Sequence, residues 1–431
     1  MGQGGFHDSL WQSTAVPAIG TGPLSGPADA DVVIIGGGLT GFSAALHLAL
    51  NGVVPIVLEA NEIGFGASGR SGGQVNLGLN DGPYALRQRF GGKVADRLTQ
   101  FVIATPNNLF KLIKEHGLDC DPVQNGLIFA AKTAKRLDDM ANLVAQYRAH
   151  GARCEILGEA ALRDQTGAEG FLGGMRFDGC GSVQPLSLTR ELARVAKQAG
   201  AKIYTHSPVT GLGRQGKIWR VATKSAEVTA RSVLICTNGY TDAAMCGLER
   251  ALIPVRSIQA ATAPLADEVR AALLPNQVTF VDKRRLVLYC RYDRDGRLCI
   301  GNRGPLRDHF KIEDFAELKR QARAVFPQLD DVQFDFHWGG RVAITRDHLP
   351  FFTALGVGLF AGMGYNGRGV GMGTMMGQLL ADTVLRGPDY APPLPLTRPK
   401  EYPLHGFYPL GVWLRNLWAS AWQALENRQA G

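Results

Sequence analysis

Long apolar runs are missing from this chain. No stretch reaches the roughly 18 uninterrupted apolar residues of a membrane-spanning helix, so no span is expected. The first residues lack the basic-then-apolar order of a secretory signal. Cysteine is sparse and unpatterned. The seven cysteines form no C-x-x-C pair and no metal-ligand spacing. That argues against a metal site or a disulfide scaffold, and for reduced, buried thiols in a cytoplasmic protein. Charge is sparse too, at 19% of residues. The net +8 comes from scattered lysines and arginines, with no basic block carrying interleaved aromatics. Nucleic acid is therefore not an expected partner, and only a mild attraction for anionic substrates or surfaces remains. No internal repeat is visible apart from one glycine motif that occurs twice.

What is present in excess is glycine, 54 residues gathered mostly in clusters that suit ligand loops. With 45% apolar residues the chain is globular, and its 431 residues suffice for two domains or one large interleaved body. The rest is organised around DVVIIGGGLTGFSAALHLALNG, Asp31 to Gly52. Val32 to Ile35 is a β-branched apolar run, as a buried parallel strand should be. Gly36, Gly38 and Gly41 follow in G-x-G-x-x-G spacing. The first permits the turn, the second lets a pyrophosphate approach the backbone, and the third lets the helix pack on the strand. The helix expected over Leu39 to Leu50, with Gly52 as its C′ stop, aims free N–H groups at that phosphate. A second apolar run, Ile56 to Leu58, ends in Glu59, placed to take the hydroxyls of an adenosine ribose. Its charge would repel a 2′-phosphate, which disfavours NADP and leaves FAD or NAD.

Residues 1 to 30 are rich in Gly, Pro, Ser and Ala; Trp11 either docks on the body or belongs to a disordered tail. The glycine-rich IGFGASGRSGGQVNLGLNDG, Ile63 to Gly82, cannot build a core but can bring backbone N–H groups to a ligand. Helical periodicity dominates 84 to 150, with a strand near Gly126 to Ala130, and SLTRELARVAKQAGA reads as an amphipathic helix. A hairpin then leads into a buried strand at Val233 to Cys236. Residues 250 to 340 are richer in strands, with a hairpin turning at Asp295-Gly296. Near the C-terminus a strand at Val357 to Ala361 is followed by GMGYNGRGVGMGTMMGQLLADTVL, where Gly362, Gly364 and Gly367 repeat the triplet. A second glycine loop so far along means one long ligand gripped by both ends of the sequence, which suits FAD better than a modular NAD domain.

These segments, GGGLTG with Glu59, ASGRSGGQ, RSVLICTNGY, GGRVAITRDHLPFF and GMGYNGRGVGMG, taken in order, resemble the flavin-dependent amine and amino-acid oxidases of the D-amino-acid oxidase and sarcosine oxidase superfamily. ASGRSGGQ and GYNGRGV look most like gamma-glutamylputrescine oxidase and the bacterial L-pipecolate oxidases. The resemblance spans roughly residues 7 to 410. It implies an α/β fold (α+β overall) in which a Rossmann-like FAD-binding domain is interleaved with a substrate domain built on a mixed β-sheet. The expected boundaries are 28–83, 155–245 and 340–400 for the FAD domain and 84–154 and 246–339 for the substrate domain, with 401–431 as an amphipathic tail helix. It also implies oxidation of the C–N bond of a secondary amine or a cyclic or N-substituted amino acid by hydride transfer to the flavin. A D-amino-acid dehydrogenase, or a flavoprotein with a binding or regulatory role, is the alternative. Two departures bear on this. Related sarcosine oxidases link flavin to a cysteine near the RDHLP segment, and residues 338 to 352 contain none, so non-covalent FAD is expected. Cys299 stands where those enzymes carry a lysine that helps oxygen react, so oxygen and a quinone or other electron-transfer acceptor both stay open.

The cofactor candidates are Gly36, Gly38, Leu39, Thr40, Gly41, Glu59 and Ala60 at the first motif. Ser68, Gly69, Arg70, Ser71, Gly73 and Gln74 join them from the following loop, and Val209, Thr237, Asn238 and Gly239 from the middle of the chain. The second loop adds Gly364, Tyr365, Asn366 and Gly367. Arg70 either stabilises a negative flavin or binds a nearby carboxylate. For the substrate, Tyr365 and Arg368 offer a phenol and a guanidinium to a carboxylate. Arg341 either reaches the flavin carbonyls or forms an internal salt bridge. His337 is a candidate base or a structural histidine, and Trp338 and Tyr289 line an aromatic pocket or belong to the core. In the tail, Leu414, Leu417, Trp418, Ala421, Trp422 and Leu425 share a helical face. That face packs on protein, or lies on a membrane surface as a peripheral contact.

Overall fold

The computed structural model describes residues 8–282 and 287–414. Two eight-stranded sheets, each fed from both halves of the chain, set the architecture. The first has the order Phe351–Gly356, Leu359–Met363, Glu227–Ile235, Ala28–Ile35, Pro55–Leu58, Lys202–Tyr204. Its central pairings are parallel, with Val33 beside Val233 and Ile56, and Leu359 beside Val233 on the far side. An antiparallel ribbon, Val209–Gln215 and Ile218–Thr223, extends from its Glu227–Ile235 strand. Val32 to Ile35 are buried on both faces, which is why four consecutive apolar residues are needed there.

Helices Leu39–Leu50, Pro185–Gln198 and Gly369–Arg386 pack together beside this sheet. The first and last approach closely because Gly377 has no side chain; a methyl there would collide with the carbonyl oxygen of Thr40. Phe42, Leu46 and Leu48 point from the first helix into the core and are at most 1% exposed, each worth roughly 1.5–3 kcal/mol of burial. The first helix has the bounds its periodicity predicts, and Gly52 follows it at φ 78°.

The second sheet runs Phe334–Ile344, Ile253–Pro264, Arg297–Arg303, Leu288–Tyr292, Thr279–Asp282, Leu127–Ala131, Gly173–Phe177, Cys154–Gly158. It is mixed: Thr279–Asp282 pairs parallel with Leu127–Ala131 and the other pairings are antiparallel. The α/β class with a nucleotide sheet and a mixed second sheet is therefore as expected. The strands at Cys154–Gly158 and Gly173–Phe177, assigned to the first unit from sequence, lie in the second sheet. Gly173–Phe177 pairs with Leu127–Ala131 and carries Cys154–Gly158 on its other side, and the first of these pairings is non-local and leaves no local signature. The strand Phe334–Ile344 also carries past residue 340, staying in the second sheet.

Trp11 docks. It is fully buried in the short helix Leu10–Thr14, against Leu186 and Trp338. Of the seven free cysteines six are buried as expected, and Cys246 is exposed. At the other end, Tyr402 and His405 tie the chain to the carbonyls of Ile344 and Leu252. Residues 408–414 are helical. Leu404, Phe407, Leu410, Trp413 and Leu414 are all exposed there, while Val412 is buried. The rest of the expected tail face, from Leu417 to Leu425, lies outside the described residues. Among the described residues no helix is long and apolar enough to cross a membrane, and no cluster of acids, histidines and cysteines suits a metal.

Candidate functional site

A cavity of about 470 Å³ opens where the two sheets face each other. Its first wall is the glycine turn. Gly36 adopts φ 107° and lies under Cys236; a methyl at Gly41 would collide with the carbonyl oxygen of Gly36, so strand and helix meet through that glycine. Gly38 is kept bare by Ser68, whose Oγ would lie 2.7 Å from an added Cβ. Ser68 Oγ also accepts the N–H of Leu39 (3.0 Å), capping the helix whose free N-terminus faces the cavity.

Glu59 closes the next strand. Its Oε2 accepts the N–H of Gly37 (2.6 Å) and Oε1 that of Asn61 (2.9 Å). Burial raises this carboxyl, and those backbone donors pull it back toward the charged form. Lone pairs remain on both oxygens, which lets an anchored carboxylate accept two ribose hydroxyls.

The second glycine loop comes from the other end of the chain. Gly364, Asn366 and Gly367 take positive φ, 79°, 52° and 87°. Gly364 N–H donates to Asn238 Oδ1 (2.9 Å), and Asn366 Oδ1 accepts the N–H of Thr345 (2.9 Å). Tyr365 is buried. Its hydroxyl donates to the Gly362 carbonyl (2.8 Å) and meets Thr40 Oγ1 at 2.8 Å, so it ties the second loop to the first helix.

The wall from the second sheet carries Ser257, Gln259 and Tyr289. Tyr289 and Ser257 share a hydrogen bond (2.8 Å), and Ser257 Oγ donates onward to the carbonyl of Asn302 (2.9 Å). Burial pushes the Tyr289 phenol up to about 12, so it stays protonated at neutral pH. Gln259 uses its amide N–H on the carbonyl of Arg70, and its Oε1 is buried with no partner. Asn76 Oδ1, on the same cavity, is likewise buried and unpartnered. Buried acceptors left open cost about 1–3 kcal/mol each. They call for a ligand that brings N–H or O–H donors.

The family described as FAD dependent oxidoreductase matches residues 31–383. The chain belongs to that family. It is 30% identical to the probable oxidoreductase OrdL of Haemophilus influenzae, over 88% of this chain and 87% of the relative. It is also 30% identical to gamma-glutamylputrescine oxidoreductase of Escherichia coli, over 83% and 84% of the two chains. The crystal structure of glycine oxidase from Geobacillus kaustophilus superposes with a TM-score of 0.73 at 23% identity, covering 86% of this chain and 99% of that one. This FAD-dependent oxidoreductase presents what the cofactor needs: a bare glycine turn, a free helix N-terminus, an anchored acid and open acceptors.

Of the residues expected from sequence, Gly36, Gly38, Leu39, Thr40, Glu59, Ala60, Ser68, Arg70, Ser71, Gly73 and Gln74 line the cavity. So do Val209, Thr237, Asn238, Gly239, Tyr289, Arg341, Tyr365, Asn366 and Gly367. Gly41, Gly69 and Gly364 do not line it.

Four substrate candidates are engaged elsewhere, His337 and Trp338 in the structural roles that were their alternatives. Arg368 does not line the cavity; it donates to Asn80 Oδ1 (2.6 Å) and the Leu77 carbonyl (2.9 Å). The Tyr365 phenol is spent on Thr40 and Gly362, so the pair offers no fork to a carboxylate. His337 is half-buried and packs edge-on to Phe315 (4.9 Å), and its burial lowers it to about 4. Trp338 is fully buried and donates to the Arg70 carbonyl (3.0 Å) from behind the loop.

Arg341 resolves as a salt bridge, to Asp308 (2.5 Å), over the Tyr240 ring. Arg256, its cross-strand partner, shares that carboxylate (3.0 Å). Burial alone would raise Asp308, but the two guanidiniums outweigh it and hold it at about 2. Arg70 lines the cavity while its guanidinium donates to the carbonyls of Phe65 (2.8 Å) and Gly339 (3.3 Å).

Sequence reasoning missed Tyr240, Ser257, Gln259 and Asn76. Tyr240 follows Asn238-Gly239 directly and was within reach of that motif. Asn76 lies in the Ile63–Gly82 loop and was within reach of it, while Ser257 and Gln259 have no local signal.

Proposed function

We propose that this enzyme holds FAD non-covalently and oxidises the C–N bond of a secondary amine or of a cyclic or N-substituted amino acid, giving an imine. FAD, when bound, supplies the hydride acceptor. The observation that carries the reading is the second-sheet wall. Ser257, Gln259 and Tyr289 present neutral oxygen atoms there, and Gln259 Oε1 is unpartnered. An uncharged acceptor suits the N–H of a neutral amine. The cavity's two acids do not stand on this wall: Glu59 closes the strand Pro55–Leu58, and Asp242 lies two residues past Tyr240. Tyr289 holds its proton, and no side chain of the wall takes one from the substrate. The amine therefore binds after losing its own proton, and kcat/KM rises with pH through the substrate's ammonium range. The 30% identity to a gamma-glutamylputrescine oxidoreductase supports this substrate class.

The test is anaerobic mixing of the yellow protein with secondary amines, L-pipecolate and gamma-glutamylated polyamines among them. Bleaching by one of these, with kcat/KM rising toward alkaline pH, is expected. If dithionite bleaches the protein and no amine does, the catalytic reading fails and a binding or regulatory flavoprotein stands. Gln259→Leu should lower kcat/KM for the amine by about tenfold, the size of one hydrogen bond.

The exposed tail residues favour a second reading, for the electron acceptor. Leu404, Phe407, Leu410, Trp413 and Leu414 face solvent within eleven residues. We propose that this end rests on a membrane surface and that the acceptor is a quinone rather than oxygen. The full chain should sediment with anionic vesicles, and the chain lacking residues 408–431 should not. If both stay in the supernatant, the membrane contact is wrong.

A further inference from the structure

The loop Arg70 to Gly73 lines the cavity, and each of its carbonyls accepts a hydrogen bond from the protein. The Arg70 carbonyl accepts from Trp338 Nε1 (3.0 Å) and from the Gln259 amide. The Ser71 carbonyl accepts from Trp11 Nε1 (2.8 Å). The Gly72 carbonyl accepts from Arg291 Nε (2.8 Å), and the Gly73 carbonyl from the N–H of Val183 (2.9 Å). Four consecutive carbonyls are thus pinned by donors from five separate places in the chain.

Trp11 sits at the centre of this arrangement. Its ring meets Trp338 edge-on at 5.5 Å, and the Arg291 guanidinium lies over it at 4.5 Å. Both of those neighbours are themselves pinning donors. Its segment is held in turn by the helix Pro185–Gln198. Gln184 donates to the Trp11 carbonyl (2.8 Å), Ser187 Oγ accepts the Val16 N–H (3.1 Å), and Arg190 donates to the Val16 carbonyl (2.8 Å) and to Gln12 (2.7 Å). The short N-terminal segment therefore touches the first unit through that helix and the second sheet through Trp338 and Arg291.

We propose that Trp11 is a positioning residue for the cofactor. The segment around it clamps the two units together and fixes the backbone of the Arg70–Gly73 loop in the shape that FAD meets. Its indole N–H acts through the Ser71 carbonyl and touches no ligand. The proposal rests on the FAD reading above. A loop already held in its bound shape gives up little entropy on binding, so pinning is felt as cofactor affinity. Packing alone would be felt as stability.

The experiment is FAD titration of the apoprotein by flavin fluorescence, with thermal melting of the same samples. Trp11→Phe keeps an aromatic ring and removes the N–H. Leu10→Ala removes a neighbour from the same buried cluster and leaves every pin in place. Trp11→Phe should weaken FAD at least tenfold. Leu10→Ala should lower the melting temperature and leave the FAD Kd within twofold. Should the Phe variant fold poorly, benzothienylalanine at position 11 keeps the bicyclic ring, puts sulfur in place of N–H, and should weaken FAD in the same direction. An unchanged Kd in either Trp11 variant overturns the proposal. So does an equal weakening by Leu10→Ala, since Trp11 would then act by packing. Wild-type apoprotein that takes up no FAD would instead sink the cofactor reading itself.

Discussion

Replacing Tyr365 by Phe separates two roles that the sequence leaves entangled. If the phenol met a substrate carboxylate, its loss would raise KM and leave the fold alone. The structure assigns it the opposite duty. Its hydroxyl bridges the Gly362 carbonyl and Thr40 Oγ1, both at 2.8 Å, in a buried site. Removing it leaves two polar groups without their partner, at about 1–3 kcal/mol each. Thr40 lines the cavity, where its hydroxyl can take a water in place of the phenol. That recovers much of its share, so the Gly362 carbonyl dominates and the net loss is about 2 kcal/mol. With an unfolding entropy of about 2.1 cal/mol/K per residue, this corresponds to a fall of about 2 °C in melting temperature for a chain of this length. The assay is urea unfolding of the apoprotein beside steady-state kinetics at saturating FAD. The expected result is a stability loss near 2 kcal/mol with kcat/KM within about threefold of wild type. Unchanged stability with a tenfold rise in KM for a carboxylate-bearing substrate would refute the reasoning and return the phenol to the substrate. Thr40→Val should lose less than Tyr365→Phe, since the phenol keeps its bond to Gly362.

Arg368→Ala should also act on stability. It removes two hydrogen bonds from a charged donor, one of them to the exposed Asn80, for a loss of about 2–3 kcal/mol in urea unfolding with KM unchanged. The flavin should leave the protein on acid precipitation, because no cysteine lies between residues 338 and 352; yellow colour retained in the washed pellet would contradict this. His337 has its folded value lowered by burial to about 4, below its unfolded value near 6.5. Its contribution is therefore whole above the unfolded value and lost as pH falls toward 4. His337→Phe should flatten the fall in stability between pH 6.5 and 4, measured by urea unfolding across that range; an unaltered slope would place the titration elsewhere.

The nucleotide half of the site was legible because its chemistry is local. A buried strand, a turn that only glycine makes, a helix start and an acid at the end of the next strand all fall within thirty residues, and each leaves its own residue type behind. The second glycine loop was legible for the same reason. What was not legible depends on pairing across distance. Whether Tyr365 faces a ligand or Thr40 is decided by the packing of two helices far apart in sequence. Whether Arg341 reaches a cofactor or forms an internal salt bridge is decided by the loop bearing Asp308, which folds back beside it. Ser257 and Gln259 become a wall because one strand, Ile253–Pro264, lies between Phe334–Ile344 and Arg297–Arg303 and turns alternate residues to the cavity.

Cys299 carries this lesson furthest. Standing in place of a lysine, it suggests a missing positive charge and hence sluggish chemistry with oxygen. The thiol is buried with Leu10, Trp11, Ala261 and Trp338, and burial pushes it up to about 12, so it stays an uncharged thiol. The residue directly across the strand pair from it is Arg291. Cross-strand partners share a face, so the guanidinium stands on the face that Cys299 occupies. It is 3% exposed, and its Nε reaches the carbonyl of Gly72 in the cavity loop. Positive charge is therefore present on this face of the sheet, supplied from the neighbouring strand. A position read alone as lacking a cation has, once the strands are paired, a cation directly across from it. The argument from Cys299 to slow oxygen chemistry loses its premise, and the case for a membrane acceptor rests on the exposed tail alone.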